Sequence, residues 1–361
     1  MLKARSAIQT IPSYHPPLAG REGLRLDFNE NTVGCSPRIL AHLRQLTAED
    51  LARYPEREAV ETRVAQLLQL DPSQLLLTNG VDEAIHLLCQ TFLEAGDEAL
   101  IVEPTYSMYR IYMTGAGARV VSTRAGKNFE FPGVELLSRI SPHTRLIGIA
   151  NPNNPTGTVA PKAELLRLAR SAPDAALLVD EAYFEFYGQT LLDKCTGLPN
   201  LFVARTFSKA YGLAGLRAGV LVGNAEPMCA VRRVCSPYNV NAVALACLPE
   251  ALADQVYIQQ YVNDVLESRQ RLESALAAGG VSYWPSQANF VLARVGTTKQ
   301  EAVAFTQQMR RRGILVRDRS SDPGCDGCMR ITLGPREHTD RLLTAFQETL
   351  EELGLAQGVS R

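Results

Sequence analysis

No run of about eighteen apolar residues occurs in this 361-residue sequence, so a membrane-spanning helix is not expected. Neither sign of charge dominates: 37 lysines and arginines stand against 38 aspartates and glutamates. That balance gives no basis for a nucleic-acid or membrane surface. Repeats and low-complexity tracts are missing. The N-terminus, with Lys3, Arg5, Gln9 and early prolines, lacks the apolar core of a secretory signal, and a cytoplasmic protein is expected. The eight cysteines are scattered, and the close pair Cys325 and Cys328 has no second pair to complete a four-ligand zinc site. Free thiols and no metal are the expectation.

What is present is alternation. Short apolar runs at 75–77, 100–102, 146–149, 177–179, 201–203 and 220–222 are separated by helical patterns, such as Val60, Val64, Leu67 and Leu68 on one face. This is the pattern of an α/β fold with a mainly parallel central sheet flanked by helices. Near Pro249 the texture changes to a long polar helix over about 254–278 with an Asp cap. Strands around 289–293, 314–317 and 329–333 and a last helix follow, as in a smaller C-terminal α/β domain. The first 35 residues, rich in proline and glycine, read as an extended arm lying across the small domain or a partner. The divisions are therefore 1–35, 36–248 and 249–361, in keeping with a prior of roughly 100 to 200 residues per domain.

Several strand ends carry chemistry. Lys209 lies just past a buried strand in a turn rich in Ser, Thr and Gly, where desolvation lowers an amine toward a pKa of about 7 to 8. Asp180 leaves a buried strand at its carboxyl end, the place where such sheets bind ligands. Tyr183, three residues on, and Asn154, in the turn Asn153-Asn154-Pro155-Thr156-Gly157, supply further donors. The helix opening at Gly80 offers the amides of Val81 and Asp82 to a phosphate, provided that the Asp82 carboxylate points away or caps the helix. Thr206, Ser208 and Arg217 add two hydroxyls and a guanidinium. Together these meet the needs of pyridoxal phosphate: a lysine for the aldehyde, an acid for the pyridine nitrogen, and donors for the phosphate and phenolic oxygen. Taken singly, Lys209 reads rather as a solvated surface lysine, while Asp180 reads equally as a helix cap and Tyr106 as a half-buried core tyrosine; the surroundings reverse the reading of Lys209.

In order along the chain, Leu26-Asp27-Phe28-Asn29-Glu30-Asn31, Tyr54-Pro55, Asp82-Glu83-Ala84-Ile85, the Asn153 to Gly157 turn, Asp180-Glu181-Ala182-Tyr183, Ser208-Lys209 and Arg330-Ile331-Thr332-Leu333-Gly334 resemble the fold-type I pyridoxal-phosphate aminotransferases, and within them the histidinol-phosphate group. The resemblance implies the cofactor pyridoxal 5'-phosphate, covalently held by Lys209. It implies Asp180 against the pyridine nitrogen, Asn154 and Tyr183 at the phenolic oxygen, and Tyr106 stacked on the ring. Val81, Asp82, Thr206, Ser208 and Arg217 would hold the phosphate. Tyr54 would reach the partner's site in a homodimer. Substrate contacts are implied at Tyr14, Asn29, Arg317 and Arg330, with Arg330 on the α-carboxylate of glutamate and Arg317 with Tyr14 around the acceptor's phosphate. The arm departs from the family at Ser13-Tyr14-His15, and the phosphate loop at Asn79 and Val81. Ping-pong transfer from glutamate to a phosphorylated or aromatic oxo acid or ketone is expected. The alternatives are aromatic amino-acid transamination, threonine-phosphate decarboxylation, and a non-catalytic protein that kept the fold.

Overall fold

The computed structural model describes residues 2–355. Its strands are β1 (Leu24–Leu26), β2 (Leu75–Thr78), β3 (Glu98–Glu103), β4 (Arg119–Arg124), β5 (Thr144–Ala150), β6 (Ala176–Asp180), β7 (Leu201–Thr206) and β8 (Gly219–Val222), then β9 (Ser282–Trp284), β10 (Phe290–Arg294), β11 (Ile314–Asp318) and β12 (Cys328–Thr332). All six expected apolar runs fall within strands of a seven-stranded sheet ordered β2-β8-β7-β6-β5-β3-β4. The pairings β4 to β3, β3 to β5, β5 to β6 and β6 to β7 are parallel, and β8 runs antiparallel to both its neighbours. Every residue of β2, β6, β7 and β8 is buried, because helices cover both faces and such strands become continuous apolar runs.

The second sheet has five strands, ordered β1-β11-β12-β10-β9. β1 pairs parallel with β11, which ties the N-terminal segment to the C-terminal part of the chain. The arm is not wholly extended, since Ser6–Gln9 forms a single helical turn. The long helix runs Gln255–Ala278, with the Asp254 carboxylate accepting from the Tyr257 amide. Pro249 lies inside the preceding helix, Ala242–Ala253, so the backbone breaks at Asp254 rather than at the proline. On the helix Arg57–Leu67, Val64 is buried but Leu67 is 52% exposed, a departure from the expected apolar face. Among the described residues no helix is long and apolar enough to cross a membrane.

Candidate active site

Parallel strands that end on one edge of a sheet leave their following loops together, and this edge is where α/β sheets form ligand sites. β2, β3, β5, β6 and β7 do so here. Their loops and the rim of the smaller sheet enclose a cavity of about 550 Å³. It is lined by the expected residues Tyr14, Asn29, Val81, Asp82, Tyr106, Asn154, Asp180, Tyr183, Thr206, Ser208, Lys209, Arg217, Arg317 and Arg330. Tyr54 lies outside the cavity of its own chain, 78% exposed and stacked on Tyr238 with ring centroids 4.2 Å apart.

Lys209 occupies the turn after β7, where the Gly212 amide donates to its carbonyl. Its Nζ donates to the Phe28 carbonyl at 3.1 Å and lies 5.9 Å from the centre of the Tyr183 ring. Burial, helped by the charge of Arg330, pulls the amine down to about 8. A nucleophilic lysine needs this, because the neutral amine is the reactive form.

Asp180 closes β6 and is 5% exposed. Its carboxylate accepts from the Tyr109 hydroxyl at 2.8 Å and from the Ala182 amide at 2.9 Å, while burial lifts it to about 6. No cationic side chain pairs with it among the described residues. Buried carboxylates ordinarily have such a partner, and a protonated pyridine nitrogen supplies one.

Tyr183 packs edge-on against Phe290 at 5.1 Å, and its hydroxyl accepts from Asn29 Nδ2 at 2.9 Å. Burial raises its phenol. Asn29 was expected to touch substrate; here it also holds Tyr183, and its Oδ1 accepts from Thr332 at 3.1 Å. Asn154 Oδ1 accepts from Arg330 Nη1 at 2.6 Å. Arg330, 5% exposed, also donates to the Asp27 carbonyl at 2.6 Å, and burial lowers it to about 10.

At the other end of the cavity the helix Gly80–Phe92 begins. Gly80 has φ +74°, and a Cβ there would sit 2.6 Å from Arg217 Nη2. Glycine thus supplies both the left-handed turn and the room for the guanidinium. Thr206 Oγ1 donates to Ser208 Oγ at 3.0 Å. The Asp82 carboxylate neither caps the helix nor leaves the site. It pairs with Arg217 Nη2 at 3.0 Å and accepts from the Tyr106 hydroxyl at 2.9 Å, a guanidinium and a phenol being stronger partners than a helix amide.

Sequence reasoning missed Tyr109, Phe28, Glu30 and Arg319. Tyr109 is fully buried and acts on Asp180 across 71 positions of chain, which no local pattern reveals. Glu30 pairs with Arg21 at 2.6 Å. The donor set fits pyridoxal phosphate: a depressed amine, a buried acid lacking a cation, and hydroxyls, amides and a guanidinium grouped at a helix start for a dianion.

A pH dependence follows from Lys209. Its native pKa of about 8 lies below the 10.5 of an unperturbed lysine. Between these values the unfolded chain holds the proton and the native one does not, so the stability of the cofactor-free protein gains from this group as pH rises. Below about pH 8 the penalty for burying the charge is present in full. Urea midpoints of the cofactor-free protein and of Lys209→Met, compared between pH 7.5 and 10, should differ most at the acid end; a constant difference would contradict the assignment.

The family described as aminotransferase class I and II matches residues 21–346. Histidinol-phosphate aminotransferase of Roseobacter denitrificans is 38% identical over 334 residues, covering 90% of this chain and 91% of that one. The crystal structure of histidinol-phosphate aminotransferase from Sinorhizobium meliloti in complex with pyridoxal-5'-phosphate superposes with a TM-score of 0.89 at 27% identity, covering 98% and 99% of the two chains. L-threonine-O-3-phosphate decarboxylase from Porphyromonas gingivalis follows at a TM-score of 0.76 and 25% identity, covering 91% and 99%.

Proposed function

Because the chain belongs to the class I and II aminotransferase family, we propose that it is a histidinol-phosphate aminotransferase, moving the amino group of glutamate to imidazole acetol phosphate and releasing histidinol phosphate and 2-oxoglutarate. It is a pyridoxal-phosphate-dependent transaminase. The observation that carries the substrate reading is the pair Arg317 and Arg330, opposite each other on β11 and β12 and both lining the cavity of Lys209. Two always-charged, planar cations suit a ligand with an acid group at each end.

In this reading Lys209 would hold the cofactor through its aldehyde, Asp180 would face the pyridine nitrogen, and Asn154 and Tyr183 would donate to the phenolic oxygen. Tyr106 would pack on the ring. The Val81 and Asp82 amides, Thr206, Ser208 and Arg217 would hold the phosphate. Pyridoxal phosphate, when bound, supplies the electron sink that makes the substrate Cα–H acidic. Arg330 holds the α-carboxylate, and Arg317 with Tyr14 holds the distal acid group. Lys209, once its amine is free, takes the proton from Cα; its depressed pKa keeps a share of it neutral near pH 7.5. One site serving donor and acceptor in turn gives ping-pong kinetics.

A homodimer in the cytoplasm belongs to the same reading. It is supported by the exposure of Tyr54 outside the cavity of its own chain and by the cysteines, all free, as reducing compartments keep them. We also assign cofactor binding to residues 36–248 and a smaller C-terminal domain to 249–361, whose Arg317 and Arg330 line the cavity.

The test is a purified-enzyme assay with glutamate against a panel of phosphorylated and aromatic oxo compounds, with carbon dioxide followed on phosphothreonine. Preference for imidazole acetol phosphate is expected. Preference for phenylpyruvate, or carbon dioxide release, overturns the substrate assignment. Arg317→Ala should lower kcat/KM about ten- to a hundredfold for the phosphorylated acceptor and reduce that for glutamate as well; unchanged values for both remove Arg317 from the site.

A further inference from the structure

Side chains along an extended chain return to the same face every second residue. Arg319 follows Arg317 by two, just beyond the end of β11, and lines the same cavity wall as Arg317 and Arg330. Like charges facing each other across strands destabilise a sheet. Here their compensation is uneven.

Arg330 is answered by neutral oxygens, Asn154 Oδ1 and the Asp27 carbonyl. Arg317 rests 5.1 Å from the centre of the Phe28 ring and has no hydrogen-bond or ion-pair partner among the described residues. Arg319 pairs with Asp322, yet its Nε is buried without a partner and its side chain is only 16% exposed. Glu30, which lines the same cavity, and Asp27 share a single cation, Arg21. Arg21, Arg317, Arg319 and Arg330 against Asp27, Glu30 and Asp322 still leave a positive excess on this wall, with Arg317 the guanidinium that no polar partner answers among the described residues. A single carboxylate ligand offers one charge and two oxygens to it. A phosphate offers about two charges and three oxygens, enough for two guanidinium groups.

We propose that Arg319 is a specificity-determining residue of the acceptor half-reaction, binding the phosphate dianion of the acceptor beside Arg317 while Asp322 holds its guanidinium in place. The proposal rests on the functional reading above and extends it: Arg317 serves both the γ-carboxylate of glutamate and the phosphate, whereas Arg319 serves chiefly the phosphate. Discrimination between donor and phosphorylated acceptor then comes from the additional guanidinium.

The experiment compares the wild-type holoenzyme with Arg319→Gln, which keeps a polar amide but is shorter and removes the charge. Equilibrium binding of histidinol phosphate and of glutamate is read from the cofactor absorbance, and the thermal midpoint reports on folding. Histidinol phosphate should bind about ten- to a hundredfold more weakly to the variant, the loss expected for one charge-assisted contact, and glutamate should lose several-fold less. Asp322→Asn should shift the same ratio in the same direction by a smaller factor. Equal losses for both ligands would show that Arg319 merely supports Arg330 or the fold, and the proposal would be wrong. If the wild-type enzyme does not respond to histidinol phosphate at all, the functional reading fails instead. The role of Arg319 is then judged with inorganic phosphate on the holoenzyme by calorimetry: binding that Arg319→Gln loses supports a phosphate seat, and equal or absent binding in both proteins overturns it.

Discussion

Replacing Lys209 by alanine is expected to abolish transamination, a loss of at least about ten-thousandfold, and to remove the absorbance band of lysine-bound cofactor. Two functions are lost at once. On the proposed reading the amine that burial and Arg330 hold at about 8 both bonds the aldehyde and takes the substrate's Cα proton. The proposed phosphate seat at Gly80, Thr206, Ser208 and Arg217 does not depend on it, so the variant should still bind pyridoxal phosphate non-covalently. A Lys209→Ala variant that keeps both turnover and the band would mean that another lysine carries the cofactor, and the site would have to be sought elsewhere.

The second large effect is expected at Asp180. Asp180→Asn retains shape but removes the charge proposed to face the pyridine nitrogen, and turnover should fall about a hundred- to a thousandfold, the scale for losing one preorganised electrostatic partner in a water-excluded site. Stability should move the other way. Burial raises the native carboxyl to about 6 from the usual 3.8, so the native protein holds this proton longer than the unfolded chain does. Between these values the group's contribution to stability falls as pH rises, and above about 6 the cost of the buried charge is complete. Asparagine carries no such cost. The cofactor-free variant should therefore be at least as stable as wild type at pH 7.5 by urea denaturation while being nearly inactive once loaded. A variant that is active, or inactive only because it is unfolded, would argue against the role.

That opposition between activity and stability also marks what was legible in the sequence. Lys209, Asp180, Asn154 and Tyr183 could be placed because each follows an apolar run, and strand ends of a parallel sheet meet at one edge. Strands buried on both faces announce themselves as runs such as Leu177 to Val179. β4 and β9 went unread for the opposite reason: β4 is an edge strand, mostly partly exposed and bounded by Arg119 and Arg124, and β9 has three residues, none buried. A proline such as Pro249 ordinarily marks the end of a helix, yet it sits within one whose Leu245, Leu248 and Leu252 are buried, so tertiary packing overrides the local rule. The single turn at Ser6–Gln9 is likewise too short for periodicity to show.

Polar partnerships were the least legible part of the site. Asp82 with Arg217 joins positions 135 apart, and Asn29 with Tyr183 spans 154; only the fold brings them together. Arg319 differs. Its spacing of two from Arg317 was visible in the sequence, and the period of an extended chain would have put both on one face.

The account stands on the bond between Lys209 and the cofactor. Its most direct test is reduction of the loaded protein with borohydride, followed by proteolysis and mass spectrometry of the peptides. The account predicts that the phosphopyridoxyl group is found on Lys209, with the other lysines unmodified; its recovery on another lysine, or no stable adduct from protein that carries the cofactor, would contradict it.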